Sequence, residues 1–563
     1  MSERIFIGVA WPYADGPLHL GHIAGAYLPA DIFARYHRAR GNQVLMVSGS
    51  DQHGTPITIK AEQAGKTPAE IATRYHQQFL ESWQKLGISF DLFTATGTEN
   101  HAQVTQDIFL TLLNKGYIYR NTVSQPFCPQ CKRFLADRYV EGTCPYCRAA
   151  GARGDQCDAC GKPLNAAELI DYQCRLCGTT PQFQDSEHFF LKLSAFEDQL
   201  LAWVKDKNYW RQNVLNFTRR YLEEGLRDRA ITRDIDWGIP IPVKGFEKKR
   251  IYVWFEAVIG YLSASKEWAK SSGDEDGWRK FWQEEVKSYY FIGKDNIPFH
   301  TIIWPAMLMG YDDKLNLPYD VPANEFLTIE GSKLSTSRNW AVWVPDYLSR
   351  YDPDPLRYLL SINMPETGDA DFSWREFIRR NNDELVATYG NLVNRVLTFV
   401  YRNFDGCVPA YDEIDGRGNE LINMADSVFN TIFADNGLLY NCNFKQALKM
   451  AMTVAQETNR YLDEKSPWKI IKEDKQAAAD SLYVALGIIS RLKTMLYPFL
   501  PFSSQKVHEY LGFEGKVEDY AQKKALKPLP EPGQRLQKPQ PLFSKLDEAL
   551  VEEETVRLGS AGN

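Results

Sequence analysis

Residues 4–40, RIFIGVAWPYADGPLHLGHIAGAYLPADIFARYHRAR, restrict the possible folds more than any other stretch of the chain. The apolar run 5–10 reads as a strand buried on both faces, the kind found in parallel sheets. Pro12, Asp15, Gly16 and Pro17 punctuate the loop after it. His19-Leu20-Gly21-His22 then opens a helical run that turns Ile23, Tyr27, Leu28, Ile32 and Phe33 inward. Strand, loop and helix start form the first βα unit of a doubly wound sheet. Such sheets bind ligands outside the carboxyl ends of their strands, and the free N–H groups of a helix start favour phosphate. Two histidines at that point add ring donors for charge developing on a phosphate. Taken alone, an H-x-G-H describes any helix start with two surface histidines, so the rest of the chain must decide.

The alternation continues. Residues 43–48 (QVLMVS) read as a second buried strand, running into Gly49-Ser50-Asp51-Gln52-His53-Gly54. Asp51 and His53 are therefore expected at the same crevice as His19 and His22. A helix over 68–86, a strand over 90–94 and a helix over 99–115 complete the first half of a nucleotide-binding fold. The pattern stops near Tyr119 and resumes at 229–240. Residues 251–261 begin as a strand and turn helical, with Trp254, Ala257 and Tyr261 spaced to share one face; as an isolated stripe this is plain core. A strand over 288–293 ends in a polar turn, and the helix from 296 offers Phe299, His300 and Trp304. The segment 324–329 reads as a last short strand leading into the hydroxyl-rich loop 330–338. From about 373 the chain changes to long helices, 374–401, 420–436, 444–463 and 474–497, a helical bundle. Beyond 513 come an extended arm with five prolines over 528–541 and an acidic helix over 546–558.

The balance of 65 basic and 72 acidic residues leaves a formal charge of −7, which gives no global attraction to nucleic acid but permits a local basic face. No signal peptide is expected, because the apolar run 5–10 is too short for one, and the apolar stretch 482–502 carries Arg491 and Lys493 at helical spacing, as a bundle core does. With no targeting signal and no membrane segment, the expected location is the cytoplasm.

Eight of the ten cysteines lie in four C-x-x-C pairs: Cys128/Cys131, Cys144/Cys147, Cys157/Cys160 and Cys174/Cys177. In a cytoplasmic chain this density points to metal rather than disulfides. Small turn residues such as Gly161 and Gly178 suit knuckles whose thiolates face one ion, and four thiolates at about 2.3 Å make a closed zinc site with a structural role. The short link from Cys147 to Cys157 favours an inner site of Cys144, Cys147, Cys157 and Cys160, with Cys128, Cys131, Cys174 and Cys177 closing a second around it. Spacing alone also permits sequential pairing. Cys407 and Cys442 are expected as buried core thiols.

These motifs, in this order, resemble the class I aminoacyl-tRNA synthetases, and within them the methionyl-tRNA synthetase family. The HIGH signature is matched by His19-Leu20-Gly21-His22 and the KMSKS signature by Lys333-Leu334-Ser335-Thr336-Ser337. The resemblance implies an α/β Rossmann-like catalytic domain with a zinc-knuckle connective insertion, followed by an all-α anticodon-binding bundle. Its expected divisions are 1–118 and 231–325 for the two catalytic halves, 119–230 for the insertion, 326–372 for the KMSKS loop and stem-contact region, 373–513 for the anticodon domain and 514–563 for a tail. It implies ATP-dependent activation of L-methionine to methionyl-adenylate and transfer to the 3′ end of tRNA(Met), initiator included, with Mg2+ accompanying ATP and two structural Zn2+ per chain. The catalytic residues would be His19, His22 and Lys333. His19, Gly21, His22, Asp295, Lys333 and Thr336 would bind ATP. Tyr13, Asp51, Trp254, Ala257, Tyr261 and His300 would bind methionine. Asn391, Arg395 and Trp468 would read the CAU anticodon. Thr336 departs from the second lysine of the signature, so one cation of the loop is missing. The short, cysteine-filled insertion argues against the aliphatic synthetases with editing domains, and a core without cysteines argues against a cysteine enzyme. An appended dimerisation segment is not expected, so a monomer is expected.

Overall fold

A computed structural model describes residues 2–560 apart from 136–138, 155, 156, 158, 161–163, 165, 337 and 520–527. Gly161 of the knuckles and Ser337 of the lysine loop lie outside the described residues. The central sheet has five strands: β1 (Arg4–Val9), β2 (Gln43–Ser50), β3 (Leu92–Ala95), β4 (Lys287–Gly293) and β5 (Ala323–Asn324). They run parallel in the order β5-β4-β1-β2-β3, with Ile5 opposite Lys287 on one side of β1 and opposite Val44 on the other. Both faces are covered, which explains why β1 is apolar throughout rather than alternating. Ile5, Ile7 and Val9 pack into a core shared with the helical bundle, while Phe6 packs into one shared with the insertion. The strand order reverses between β1 and β4, and that reversal opens a crevice at their carboxyl ends.

Local signals set the helix limits. Thr67 and Glu70 form a capping box at the start of the helix Pro68–Leu86, and Gly87, in the left-handed region at φ 72°, ends it. Thr98 accepts the His101 N–H at the start of Glu99–Asn114. The insertion leaves on the strand Ile118–Cys128 and returns on Gln182–Leu191, paired antiparallel along the whole length. The cysteine module sits at the far end of this arm around a small core of its own, with Leu135, Tyr139 and Val140.

Four expectations change. The segment 324–329 is not one strand. Its first residues join the central sheet, whereas Leu327–Ile329 pairs with Ser332–Lys333 and Ala370–Phe372 in a separate sheet. Between them, the Glu325 and Phe326 main-chain N–H groups donate to Pro365 and to the Asp369 carboxylate instead of to a sheet partner. The helix expected over 374–401 is interrupted by a π-helical stretch, Asn381–Gly390. The proline-rich arm is docked, with Gln534 accepting from Val408 and Leu536 donating to Gly406. Cys442 is buried, but Cys407 is half-exposed, because it bridges to Arg535 of that arm rather than entering the core. No helix among the described residues is long and apolar enough to cross a membrane.

One buried charge cluster joins the sheet unit to the bundle. Asp31, fully buried on the helix Leu28–Ala39, accepts from Arg35 at 2.9 Å, Arg357 at 2.7 Å and both Ser89 donors at 2.8 and 2.6 Å. Arg357 also donates to the carbonyls of Phe499, Pro498 and Leu86. Burial pushes the Asp31 carboxyl up, but Arg35, Arg357 and Ser89 outweigh it and hold it at about 2. Replacing Arg357 with methionine removes one of the two cations at this carboxylate, leaving Arg35 and Ser89, and takes the donor from three buried carbonyls. Chemical denaturation should show a loss of about 3–5 kcal/mol; a loss below about 1 kcal/mol would show that the cluster does not hold the two parts together.

Candidate active site and cysteine cages

A cavity of about 480 Å³ lies at the switch point. Its floor comes from the loops after β1 and β2, which are stitched together: Asp51 donates its N–H to Pro12, and Ala14 donates to Asp51, both at 2.8 Å. That stitching places Tyr13 and Asp51 side by side at the cavity. Trp11 reaches it because Gly49 and Gly260 leave room; a Cβ at either would lie 2.3 or 2.6 Å from the indole.

One end of the cavity is aromatic. The helix Val253–Ser271 brings Trp254, Ala257 and Tyr261 to the wall. Trp254 stacks on Phe299 with centroids 4.2 Å apart, and Tyr13 meets it edge-on at 6.1 Å. His300 Nδ1 lies 2.9 Å from the Asn296 carbonyl, so it carries the proton and donates. Nε2 then accepts from the Tyr261 hydroxyl at 2.7 Å. Burial lowers His300 to about 4, so the ring is neutral at ordinary pH. Asp51 is pushed well up by burial, by Glu256 and by Asp15.

The other end is polar. His19 and His22 stack with centroids 3.8 Å apart, and the His19 main-chain N–H donates to His22 Nδ1 at 3.1 Å. Burial lowers His22 to about 4; burial and then the charge of His22 put His19 well below the ordinary value. Both rings are thus neutral in the empty site. His19 Nδ1 is buried without a partner among the described residues. Asp295 lies beyond β4, raised by burial. Lys333 and Thr336 are on the exposed lysine loop, with Lys333 at the cavity rim. Leu334 from this loop lies over Gly21, where a Cβ would meet it at 2.6 Å. Two π-helical turns, Ile23–Tyr27 and Phe299–Ile303, border the cavity; such turns often mark functional sites.

His53 is the exception among residues expected at the crevice. Its ring turns behind the wall to Glu256, at 2.9 and 3.0 Å from the two carboxylate oxygens, and Gly54, at φ 100°, starts the next helix. Sequence reading also missed Glu325, Phe326, Leu334 and Asp369, all of which line the rim. Asp369 follows no motif and arrives only because Ala370–Phe372 pairs with Leu327–Ile329. Lys294 beside it was legible as a polar turn; it is held by Glu325 at 2.6 Å and Asp369 at 3.0 Å.

In the bundle, Asn391 and Arg395 line a shallow hollow with Thr388, Gln456, Asn459 and Asp463. The Arg395 guanidinium lies 4.2 Å from the Trp468 ring centroid. The eight paired cysteines form two clusters, Cys128, Cys131, Cys174 and Cys177, and Cys144, Cys147, Cys157 and Cys160, the sulfurs of each within 4.8 Å of one another. Individual sulfur separations run from 3.4 to 3.9 Å. A tetrahedron of bonds near 2.3 Å requires about 3.8 Å, so each cluster fits one metal ion.

Comparison with known proteins gives the class first. The family model for tRNA synthetases class I (M) matches residues 5–397, and the model for the anticodon binding domain of methionyl tRNA ligase matches 408–563. A crevice at the switch point of a split nucleotide-binding sheet, ahead of a helical anticodon domain, is the class I aminoacyl-tRNA synthetase arrangement. The chain is 65% identical to the methionine–tRNA ligase of Dehalococcoides mccartyi strain CBDB1 over 559 residues, 99% of this chain and 100% of the other. It is 54% identical to that of Thermomicrobium roseum over 99% of each. The solved Mycobacterium tuberculosis methionyl-tRNA synthetase in complex with methionyl-adenylate superposes with a TM-score of 0.80 at 25% identity, over 96% of this chain and 99% of that one. The chain belongs to the methionine–tRNA ligase family, and it activates L-methionine with ATP and charges tRNA.

The depressed histidines carry a stability prediction. A histidine near 4 in the folded state and 6.5 unfolded favours folding fully above pH 6.5, and this contribution is lost as pH falls towards 4. His22 and His300 should each account for roughly 3 kcal/mol of acid destabilisation in that window. Denaturation midpoints of the His22→Gln and His300→Gln proteins should therefore depend less on pH than those of the unaltered protein. An equal dependence would contradict the neutral-ring description.

Proposed function

We propose that the two ends of the switch-point cavity divide the substrates of the activation step. The observation that carries this reading is the gradient along one continuous cavity, from the aromatic cluster at Trp254 to the stacked His19 and His22. Asp51 takes the ammonium group of methionine, and Tyr13, Trp254, Ala257, Tyr261 and His300 surround the thioether. A polarisable sulfur prefers aromatic walls. The Tyr261–His300 hydrogen bond fixes both rings and leaves the hydroxyl oxygen as the weak polar contact. ATP occupies the other end: Gly21 admits the adenine, Asp295 the ribose, and His19, His22, Lys333 and Thr336 the phosphates, with Mg2+ on the triphosphate.

The methionine carboxylate oxygen attacks the α-phosphorus and pyrophosphate leaves; a ribose hydroxyl of the tRNA terminus then attacks the acyl carbon and AMP leaves. The side chains supply positioning and electrostatic stabilisation, with no covalent enzyme intermediate. His19 and His22, neutral in the empty site, act as hydrogen-bond donors to the phosphate oxygens rather than as fixed cations. Lys333, exposed at the cavity rim, supplies the positive charge. Asn391, Arg395 and Trp468 read the CAU anticodon of elongator and initiator tRNA(Met): guanidinium and indole already form a stacking surface. The residues from 119 to 230 act as the connective insertion, and the two cysteine clusters hold two Zn2+, each a closed site that supplies folding energy to the arm tip.

ATP–pyrophosphate exchange assayed with each amino acid tests the reading. Methionine should drive exchange best; stronger exchange with leucine or cysteine would overturn it. Changing His22 to alanine should lower the exchange kcat roughly 100- to 1000-fold while methionine binding stays nearly intact. Equal losses in rate and methionine affinity would refute the division of the cavity. Elemental analysis should give close to two zinc per chain, and a count near one would refute one of the two cages.

A further inference from the structure

A second buried ionic cluster stands directly behind the wall of the cavity. Glu256 shares a helix with Trp254 and Ala257 but does not line the cavity, and it is 0% exposed. His53 Nδ1 donates to its two oxygens at 2.9 and 3.0 Å, and His101 Nε2 lies 3.6 Å away. His101 Nδ1 meets the Ser263 hydroxyl at 2.8 Å, and that hydroxyl donates to the Gly260 carbonyl at 3.1 Å. The cluster thus ties the loop after β2, the helix Glu99–Asn114 and the helix Val253–Ser271 at a single carboxylate. Trp11 closes it from the cavity side, its ring 6.1 Å from that of His101.

Two connections run from this cluster to Asp51. The His53 main-chain N–H donates to Asp51 Oδ1 at 3.2 Å, so the residue that holds Glu256 with its ring also holds Asp51 with its backbone. The two carboxylates also interact directly. Burial and then the Glu256 charge raise Asp51, with Asp15 adding to the effect. Burial alone would raise Glu256, but His53 and His101 reverse this and keep it below its ordinary value, so Glu256 is the charged partner. An ionised side chain so deeply placed costs desolvation energy that an apolar residue of similar size avoids. What it adds is negative potential in a water-excluded place beside Asp51.

We propose that Glu256 is a positioning residue for the amino-acid substrate: through His53 it orients the Asp51 carboxylate, and its charge makes the subsite there selective for a cationic α-amino group. This rests on the reading of Asp51 as the ammonium partner. Entry of the ammonium group favours ionised Asp51, whose carboxyl is pushed up in the empty site by burial and by the Glu256 charge. The groups facing Asp51 are Asp15 from the loop after β1, His53 from its own loop and Glu256 from the pocket helix, with His101 one step behind.

The test uses the full chain in ATP–pyrophosphate exchange from about pH 5.5 to 9. In Glu256→Gln, KM for methionine should rise by about tenfold or more while kcat and KM for ATP change less than about threefold. The acid limb of kcat/KM for methionine should move to lower pH, because Asp51 has lost its charged neighbour. Inhibition by methioninol, which keeps the ammonium group, should weaken, and inhibition by the des-amino acid 4-(methylthio)butanoate should not. His53→Gln, which leaves Glu256 in place, should change KM in the same direction and serves if the first variant does not fold. Parallel losses in kcat and both KM values, or an unmoved acid limb with an unchanged methionine KM, would overturn the proposal. Asp51→Asn separates the two readings. If it leaves the methionine KM unchanged, the ammonium reading itself falls; if it raises KM while Glu256→Gln does not, only the role of Glu256 falls.

Discussion

The parallel pairing of β1 with β4 is the contact on which the rest of the structure depends. The whole cysteine-bearing insertion lies between these strands in the chain, yet Ile5 to Val9 run in register with Lys287 to Phe291. Because β2 leaves on the other side of β1, the connections diverge and a crevice remains where the strands end. Every residue of the cavity floor is placed by that divergence. Trp11, Tyr13 and Asp51 come from one side of it, Asp295 and His300 from the other. The stacked His19 and His22 sit where the first helix begins.

The second constraint is electrostatic. Asp31 and Arg35 lie on the helix that continues from His22, and together with Arg357 of the helix Pro353–Ile362 they grip the turn 497–499 of the bundle: Arg35 donates to the Tyr497 hydroxyl and Arg357 to the carbonyls of Pro498 and Phe499. The same helical run therefore carries the stacked His19 and His22 at its start and the bundle's anchor at its middle. Arg211 adds a second tie, donating to Asn324 at the sheet edge and to Cys442 in the bundle. Glu256 plays the corresponding part behind the aromatic wall, joining three elements at one carboxylate.

Much of this was legible in the residues. A strand buried on both faces shows as a continuous apolar run, and helix starts at Thr67 and Thr98 show in their capping side chains, so the α/β halves and the bundle could be read directly. The dense cysteine pairs pointed to metal, but spacing left nested and sequential arrangements open; the long antiparallel arm is what brings Cys128 back to Cys177 in one of two four-cysteine clusters that could each hold an ion. Other features had no local signal. His53 follows Asp51 by two residues at a strand end, where both are expected to face one crevice, yet a buried carboxylate from a distant helix draws its ring away. The break at Glu325 and Phe326 depends on hydrogen bonds that they donate to Pro365 and Asp369, which periodicity cannot show. Asp369 enters the rim only through sheet pairing. Residues whose placement is decided by a partner far along the chain are the ones that reading by motif overlooks.

The central claim is that one continuous cavity holds both substrates, with methionine at the aromatic end and the adenylate phosphate at the histidine pair. The structure of the protein bound to a non-hydrolysable methionyl-adenylate analogue tests this most directly. The account predicts the thioether among Trp254, Tyr261 and His300, the ammonium group at Asp51, and the phosphate mimic within hydrogen-bond distance of His19 or His22. An analogue whose phosphate mimic lies away from both histidines, or whose thioether lies outside the aromatic cluster, would contradict it.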